Sequence, residues 1–187
     1  SKGTNVLIVG KKDQCYFEDP IHKMFLEKLP DGYSHGKDYD LYSMMGWDHL
    51  DRLPKTYDRT VPDRYRHGRP EEVRGFLRGI FSANGSCTYT EKKGGPITRR
   101  LTLKATSFPV IEAVQEMLSS IGIASHWVRN KGKDVEFYNG TYSCRDSYTL
   151  CVSSETGRRL FSERVGFIHP HKTENLQKCL GAAGGHT

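Results

Sequence analysis

The stretch FLRGIFSANGS (residues 76–86) opens like a buried helix and ends in Asn84-Gly85, the two residues that most readily stop one. Upstream, Pro70 suits a first helical position, and Glu71 and Glu72 suit the positive end of a helix dipole, so a helix is expected over residues 70–83. Within it Gly75, Gly79 and Ala83 recur every fourth position and line one face with almost no side chain. Each glycine costs up to roughly 1 kcal/mol relative to alanine in a helix. That cost is accounted for when another backbone comes very close, either a second copy of the helix or a neighbouring element of the same chain. If two copies pack side by side and parallel, both C-terminal tips arrive at one place. Gly75, Gly79, Ser82 and Ala83 are then the expected dimer contacts, and whatever follows Ala83 is present twice at one centre.

Downstream, SCTYTEK, KGGP and ITRRLTLKA read as strand, glycine-rich turn and strand. In the second strand Leu101, Leu103 and Ala105 share one face, and Arg100, Thr102 and Lys104 share the other. A helix follows, with Ser107 as N-cap, Val110, Ile111, Val114, Met117, Leu118 and Ile121 on one side, and Gly122 at its end. Residues 124–152 hold two or three short strands with Asn-Lys-Gly and Asn-Gly turns. A helix over residues 154–165, a break at Gly166 and Pro170, and a short final helix complete the chain. The order is an α+β unit with one sheet, helices on one face and the other face free.

Residues 1–58 read as a small accessory region and residues 59–187 as the main domain. In the first, residues 6–9 suit a buried strand, and Asp19-Pro20 suits the start of a helix carrying Ile21, Phe25 and Leu29 on one side. The 187 residues carry a net charge of +6, of which +1 falls in residues 1–70 and +5 in the remainder. A basic surface interleaved with aromatics favours a polyanion, nucleic acid ahead of membrane. On the free sheet face and beside it the candidate DNA contacts are Tyr89, Arg99, Arg100, Lys104, Trp127, Arg129, Lys131, Lys133, Tyr142 and Arg145. Such residues can read a major groove, or they can be the solvated side of a half-buried sheet. No apolar run approaches the roughly 20 residues that span a bilayer. Five cysteines without a CxxC pair argue against a disulfide scaffold or structural zinc and fit a reducing cytosol.

LRGIFSANG (residues 77–85) resembles the dodecapeptide motif of the LAGLIDADG homing endonucleases, whose intein-borne members read close to FLRGLFSADG. RTVPDRYRHGRPEEVRGFLRG resembles the family's Lys-x-x-Pro block leading into that motif, and RRLFSERVGFIHPHK resembles its late Phe, Ile-Gly-Phe and following Lys. The resemblance covers roughly residues 59–180. It implies an αββαββα fold, with motif helices packed at the centre and a saddle-shaped antiparallel sheet on double-stranded DNA. A single motif implies a homodimer on a near-palindromic site of about two helical turns. The implied chemistry is phosphodiester hydrolysis with Mg²⁺ or Mn²⁺ held by an acid at each helix tip, and nearby lysines stabilising charge on the phosphate.

Mapped onto this sequence, the metal-binding acid falls on Asn84, with Gly85 beside it as a second metal-site residue. An amide oxygen can coordinate Mg²⁺ but brings no charge. The upstream lysine falls on Arg59, with Lys55 as the near alternative, and Lys172 is the late basic residue. Arginine holds a phosphate but cannot serve as a neutral base. The chain therefore reads as a homing endonuclease that cuts both strands with Mg²⁺ or carries a crippled version of that site at Asn84, or as a non-cleaving DNA- or RNA-binding module on the same fold.

Overall fold

The computed structural model describes residues 6–23, 27–28, 38–43, 54–91, 95 and 97–180; among these the side chains of residues 6, 19–23 and 27 are left undescribed. The chain divides into two compact units, Ser1–Leu53 and Pro54–Thr187.

In the first unit, strand β1 (Val6–Gly10), helix α1 (Gln14–Lys23), strand β2 (Glu27–Lys28) and strand β3 (Tyr39–Ser43) form a small antiparallel sheet in the order β1-β3-β2 with one helix. Val9 and Tyr42 are its buried apolar centre, and Leu7 and Phe17 pack on them. The helix begins at Gln14 rather than at Asp19-Pro20, because the Lys11–Asp13 turn already starts it: Asp13 N–H donates to Gly10 O and Tyr16 N–H to Asp13 O. Phe25 and Leu29, expected on its apolar side, lie outside the described residues.

The second unit runs α2 (Asp63–Arg66), α3 (Pro70–Asn84), β4 (Gly85–Thr90), β5 (Thr98–Ala105), α4 (Phe108–Ser120), β6 (His126–Asn130), β7 (Asp134–Phe137), β8 (Gly140–Ser143), β9 (Ser147–Val152), α5 (Glu155–Arg164) and α6 (Pro170–Leu180). Strands β4-β5-β9-β6, in that order, make one antiparallel sheet, so α3 to α5 carry the αββαββα sequence expected, and β7 and β8 form a two-stranded hairpin ladder that continues the β6–β9 register beyond an irregular stretch at residues 131–133 and 144–146. The residues 124–152 thus hold four strands rather than two or three.

The core lies between the sheet and its helices. Leu101, Leu103, Leu150 and Val152 point inward from β5 and β9. Against them lie Leu77 and Phe81 of α3, Ile111, Val114, Met117 and Leu118 of α4, and Phe161 of α5. Phe81 and Phe161 meet edge to face at 4.8 Å. The caps of α4 form as the sequence implies. Ser107 Oγ accepts from Val110 N–H at 3.4 Å and itself donates to Arg59 O at 2.6 Å, tying the connector to the helix start. At the other end Gly122 takes φ 79°, where Gly122 N–H meets Ser119 O and Ile123 N–H meets Leu118 O.

Candidate nucleic-acid interface and helix-tip site

Helix α3 positions the site, and its start is fixed locally. The backbone N–H of Arg69 donates to the Glu72 carboxylate at 2.8 Å, which holds the Glu72 pKa below its ordinary value, with the nearby Arg69 charge adding to the effect. Along the helix three rows of side chains take three roles. Val73, Leu77 and Phe81 are buried in the core. Phe76, Ile80 and Asn84 form a second row that lines a cavity of about 510 Å³. Gly75, Gly79 and Ala83, about 200° around from the buried row, are exposed. A Cβ built on Gly75 or Gly79 meets nothing within 4 Å, so no described element of this chain uses the bare ridge. Asn84 therefore sits at the seam between an uncovered small-residue ridge and a cavity.

Ser82 does not belong to that ridge. It is buried, and its Oγ accepts from Ile168 N–H at 2.9 Å, so the α3 row at 78 and 82 faces the chain's own α5–α6 connection. Arg78 donates from the same row to Phe167 O at 3.4 Å.

The helix ends otherwise than Asn84-Gly85 suggests. Gly85 is extended, at φ −84° and ψ 158°, and begins β4 directly. Lys172 makes the left-handed stop unnecessary: its Nζ donates to Ser82 O at 2.5 Å and to Gly85 O at 2.9 Å, placing an ammonium on the negative end of the helix. Gly85 is still required, because a Cβ there would lie 2.5 Å from Phe81 O. Lys172 thus caps the end of α3 from α6. Replacing it with methionine leaves two part-buried carbonyls without their charged donor, at an expected cost of about 1–3 kcal/mol. Thermal unfolding should register this as a lower Tm, whereas a phosphate-binding role would weaken DNA binding and leave Tm unchanged.

The cavity beside Asn84 brings together Arg59, from the connector, and Lys104, from the outer face of β5. Lys55 is exposed and its carbonyl closes a turn with Asp58 N–H at 2.9 Å; it does not line the cavity. Lys104 also borders a second, open groove of about 640 Å³ that Lys131, Lys133 and Arg145 share with Val135 and Ser143. The Arg145 guanidinium lies over the Tyr57 ring at 3.9 Å. Lys104 thereby connects the helix tip to the basic groove, a link hidden in the sequence because it depends on where β5 ends relative to α3.

The lining of the cavity beside Asn84 offers no carboxylate from this chain to a divalent cation. Among the described residues no group of three or more His, Cys, Asp or Glu side chains converges. Asn84 offers a neutral oxygen, and the Gly85 carbonyl faces the Lys172 ammonium, which disqualifies it beside a metal.

Sheet register divides the expected DNA contacts. Leu101 and Leu103 pair with Val152 and Leu150, and Trp127 pairs with Leu150, so Trp127 stands on the helix side, edge-on to Phe108 at 4.8 Å. Arg129 is opposite Tyr148 on that same side, and its Nε donates to Asp146 at 2.7 Å. Tyr89 and Arg99 are also opposite each other and share the parity of Cys87 and Leu101, with Arg99 over the Tyr89 ring at 5.9 Å. The open face carries Ser86 and Thr88 of β4, Arg100, Thr102 and Lys104 of β5, Thr149 and Cys151 of β9, and His126, Val128 and Asn130 of β6. Of the ten expected contacts, Arg100 and Lys104 lie on it; Lys131, Lys133, Tyr142 and Arg145 belong to the hairpin and its base.

Residues 71–166, half of the chain, match the family model described as LAGLIDADG-like domain. A DNA polymerase of Thermococcus hydrothermalis is 30% identical over 118 residues, which are 63% of this chain and 6% of that protein. The chain therefore spans a small fraction of the relative's length. Among the described residues no helix is long and apolar enough to cross a membrane.

Proposed function

Because this chain belongs to the LAGLIDADG-like domain family, we propose that it is a sequence-specific double-stranded DNA-binding protein of the homing endonuclease type, acting as a homodimer, whose cutting centre is disabled at Asn84. The observation that carries this reading is the uncovered Gly75–Gly79–Ala83 ridge ending beside Asn84, with Arg59 and Lys104 in the adjoining cavity. Packing two ridges together brings two Asn84 side chains and two cationic cavities to one centre, on the axis of a near-palindromic site. Each open sheet face then follows one half-site, where Arg100 and Lys104 hold phosphate or base edges and Ser86, Thr88 and Thr102 add short polar contacts.

At the centre Lys104 is the residue best suited to stabilise charge on the scissile phosphate, with Arg59 holding the same group. A divalent cation held by carboxylates at the two helix tips would supply an activated water and offset charge on the leaving oxygen. Two neutral amides cannot hold that cation as two carboxylates do, so the chain grips its site without cutting it efficiently. The 6% share of the polymerase relative is what a domain inserted in a longer host protein would give, in keeping with an intein-type origin.

The DNA reading is tested by salt. Replacing Arg100 with alanine should lower the slope of log K against log salt by about one unit and leave folding intact, since Arg100 is exposed on the open face. A duplex affinity with the same salt slope in parent and variant would remove that face from the interface.

A further inference from the structure

Two of the five cysteines meet in the core of the second unit and take no part in the chemistry above. Cys87 of β4 stands opposite Leu101 of β5 and shares its inward parity, and Cys179 lies near the end of α6. Both are buried, Cys179 completely, and both are free thiols. Helix α6 packs on β4, which brings the two side chains, far apart in sequence, into hydrogen-bonding contact. The other three, Cys15, Cys144 and Cys151, are exposed or partly exposed.

The third member of the cluster is Arg158 of α5. Its guanidinium is buried, yet its described partners are carbonyls: Nη1 donates to Arg99 O at 3.4 Å and to Ser153 O. Its Nε finds no partner among the described residues. A cation buried in such company is costly, and its field falls on Cys87. Burial pushes the Cys87 thiol far above its ordinary range and the Cys179 bond adds to that, while the Arg158 charge opposes it. The closed pair is therefore slow to react, and Arg158 favours the thiolate that forms once α6 lifts and water reaches the two sulfurs.

We propose that Cys87 and Cys179 are a reversible disulfide pair, which an oxidant of the hydroperoxide class closes to staple α6 onto β4 beside the Arg158 guanidinium. The Cys87 thiolate attacks one peroxide oxygen, the O–O bond breaks, and with proton uptake a sulfenic acid and one water form. The Cys179 sulfur then attacks the sulfenic sulfur, the S–O bond breaks, and a second water leaves. Two thiols lose two electrons and two protons, and the peroxide is reduced to two waters; a thiol reductant reopens the bond by exchange. Lys172 lies about two turns before Cys179 on the same helix, so the staple also fixes the cap on Ser82 and Gly85 at the tip of α3. The redox state of the pair is thereby tied to the rigidity of that tip.

The test treats the full chain with hydrogen peroxide, digests part of it without reduction and follows thermal unfolding of the rest. The peptides carrying Cys87 and Cys179 should be joined and lighter by two hydrogens. Because the bond closes a loop of roughly 90 residues, Tm should rise by roughly 5–15 °C, and dithiothreitol should reverse both effects. Cys179→Ala should show no joined pair and no peroxide-dependent rise, and Cys87→Ala reads the same point from the sheet side. Cys87 and Cys179 still free when Cys144 is fully oxidised would overturn the proposal. So would a joined pair that lowers Tm, or a rise in Tm that both alanine variants retain.

Discussion

Replacing Asn84 with aspartate is expected to raise Mg²⁺- or Mn²⁺-dependent double-strand cleavage by about a hundredfold or more, with little change in DNA affinity. The physical basis is charge at the seam between ridge and cavity. In a homodimer the substitution adds two carboxylates at one centre, and Asn84 already lines the cavity that Arg59 and Lys104 share, so the new charges face those two cations. The aspartate also carries a cost that can be measured without any cleavage. At the C-terminal end of α3 a carboxylate opposes the helix dipole, which Lys172 now satisfies, so the metal-free variant should be less stable by about 0.3–1 kcal/mol. Added Mg²⁺ should restore that stability in the variant and leave the parent unchanged. Thermal unfolding with and without Mg²⁺ reads the second effect, and product analysis on bound duplex reads the first. Equal cleavage by parent and variant would show that the amide suffices and that the centre is not disabled.

The second large effect concerns the ridge. If the chain dimerises through this ridge as proposed, replacing Gly79 with leucine should leave a monomer, because a four-carbon side chain would hold the two helix backbones apart. Within one chain the same change should stabilise: Gly79 is helical and exposed, a Cβ there meets nothing within 4 Å, and a residue of better helix propensity contributes up to roughly 1 kcal/mol. Loss of dimer together with a higher Tm of the isolated chain is an unusual pair of signs. A glycine kept for packing within its own chain would give a lower Tm instead. Gly75→Ala should give the same signs in smaller measure. An unchanged dimer in the Gly79→Leu protein would remove the ridge from the interface.

Much of the second unit was legible because its signals are local. The Pro70 start, the Ser107 cap, the Gly122 stop and the alternation of Leu101 and Leu103 each depend on a few neighbouring residues, and each is where the sequence placed it. What was missed depends on partners far along the chain. Lys172 reads as a free basic residue until α6 folds back on α3 and turns it into a cap. Trp127 and Arg129 read as open-face residues until β6 pairs with β9 and Trp127 comes opposite Leu150. For Tyr89 and Arg99 a signal was present: each lies two residues from an inward Cys87 or Leu101, and strand parity alone places them on the helix side. The hairpin escaped notice because basic, aromatic and turn residues between β6 and β9 alternate too irregularly to separate four strands from three. In the first unit α1 starts earlier than its Asp-Pro pair suggests, since the turn at Gly10–Asp13 begins the helix before the usual starting residues are reached.

The central claim is that two helix tips meet at one centre on one DNA site, and the mass of the protein–DNA complex tests it most directly. Sedimentation at micromolar protein with its selected duplex of about two helical turns should give two chains per duplex. One chain per duplex, with a monomer in free solution, would contradict the account.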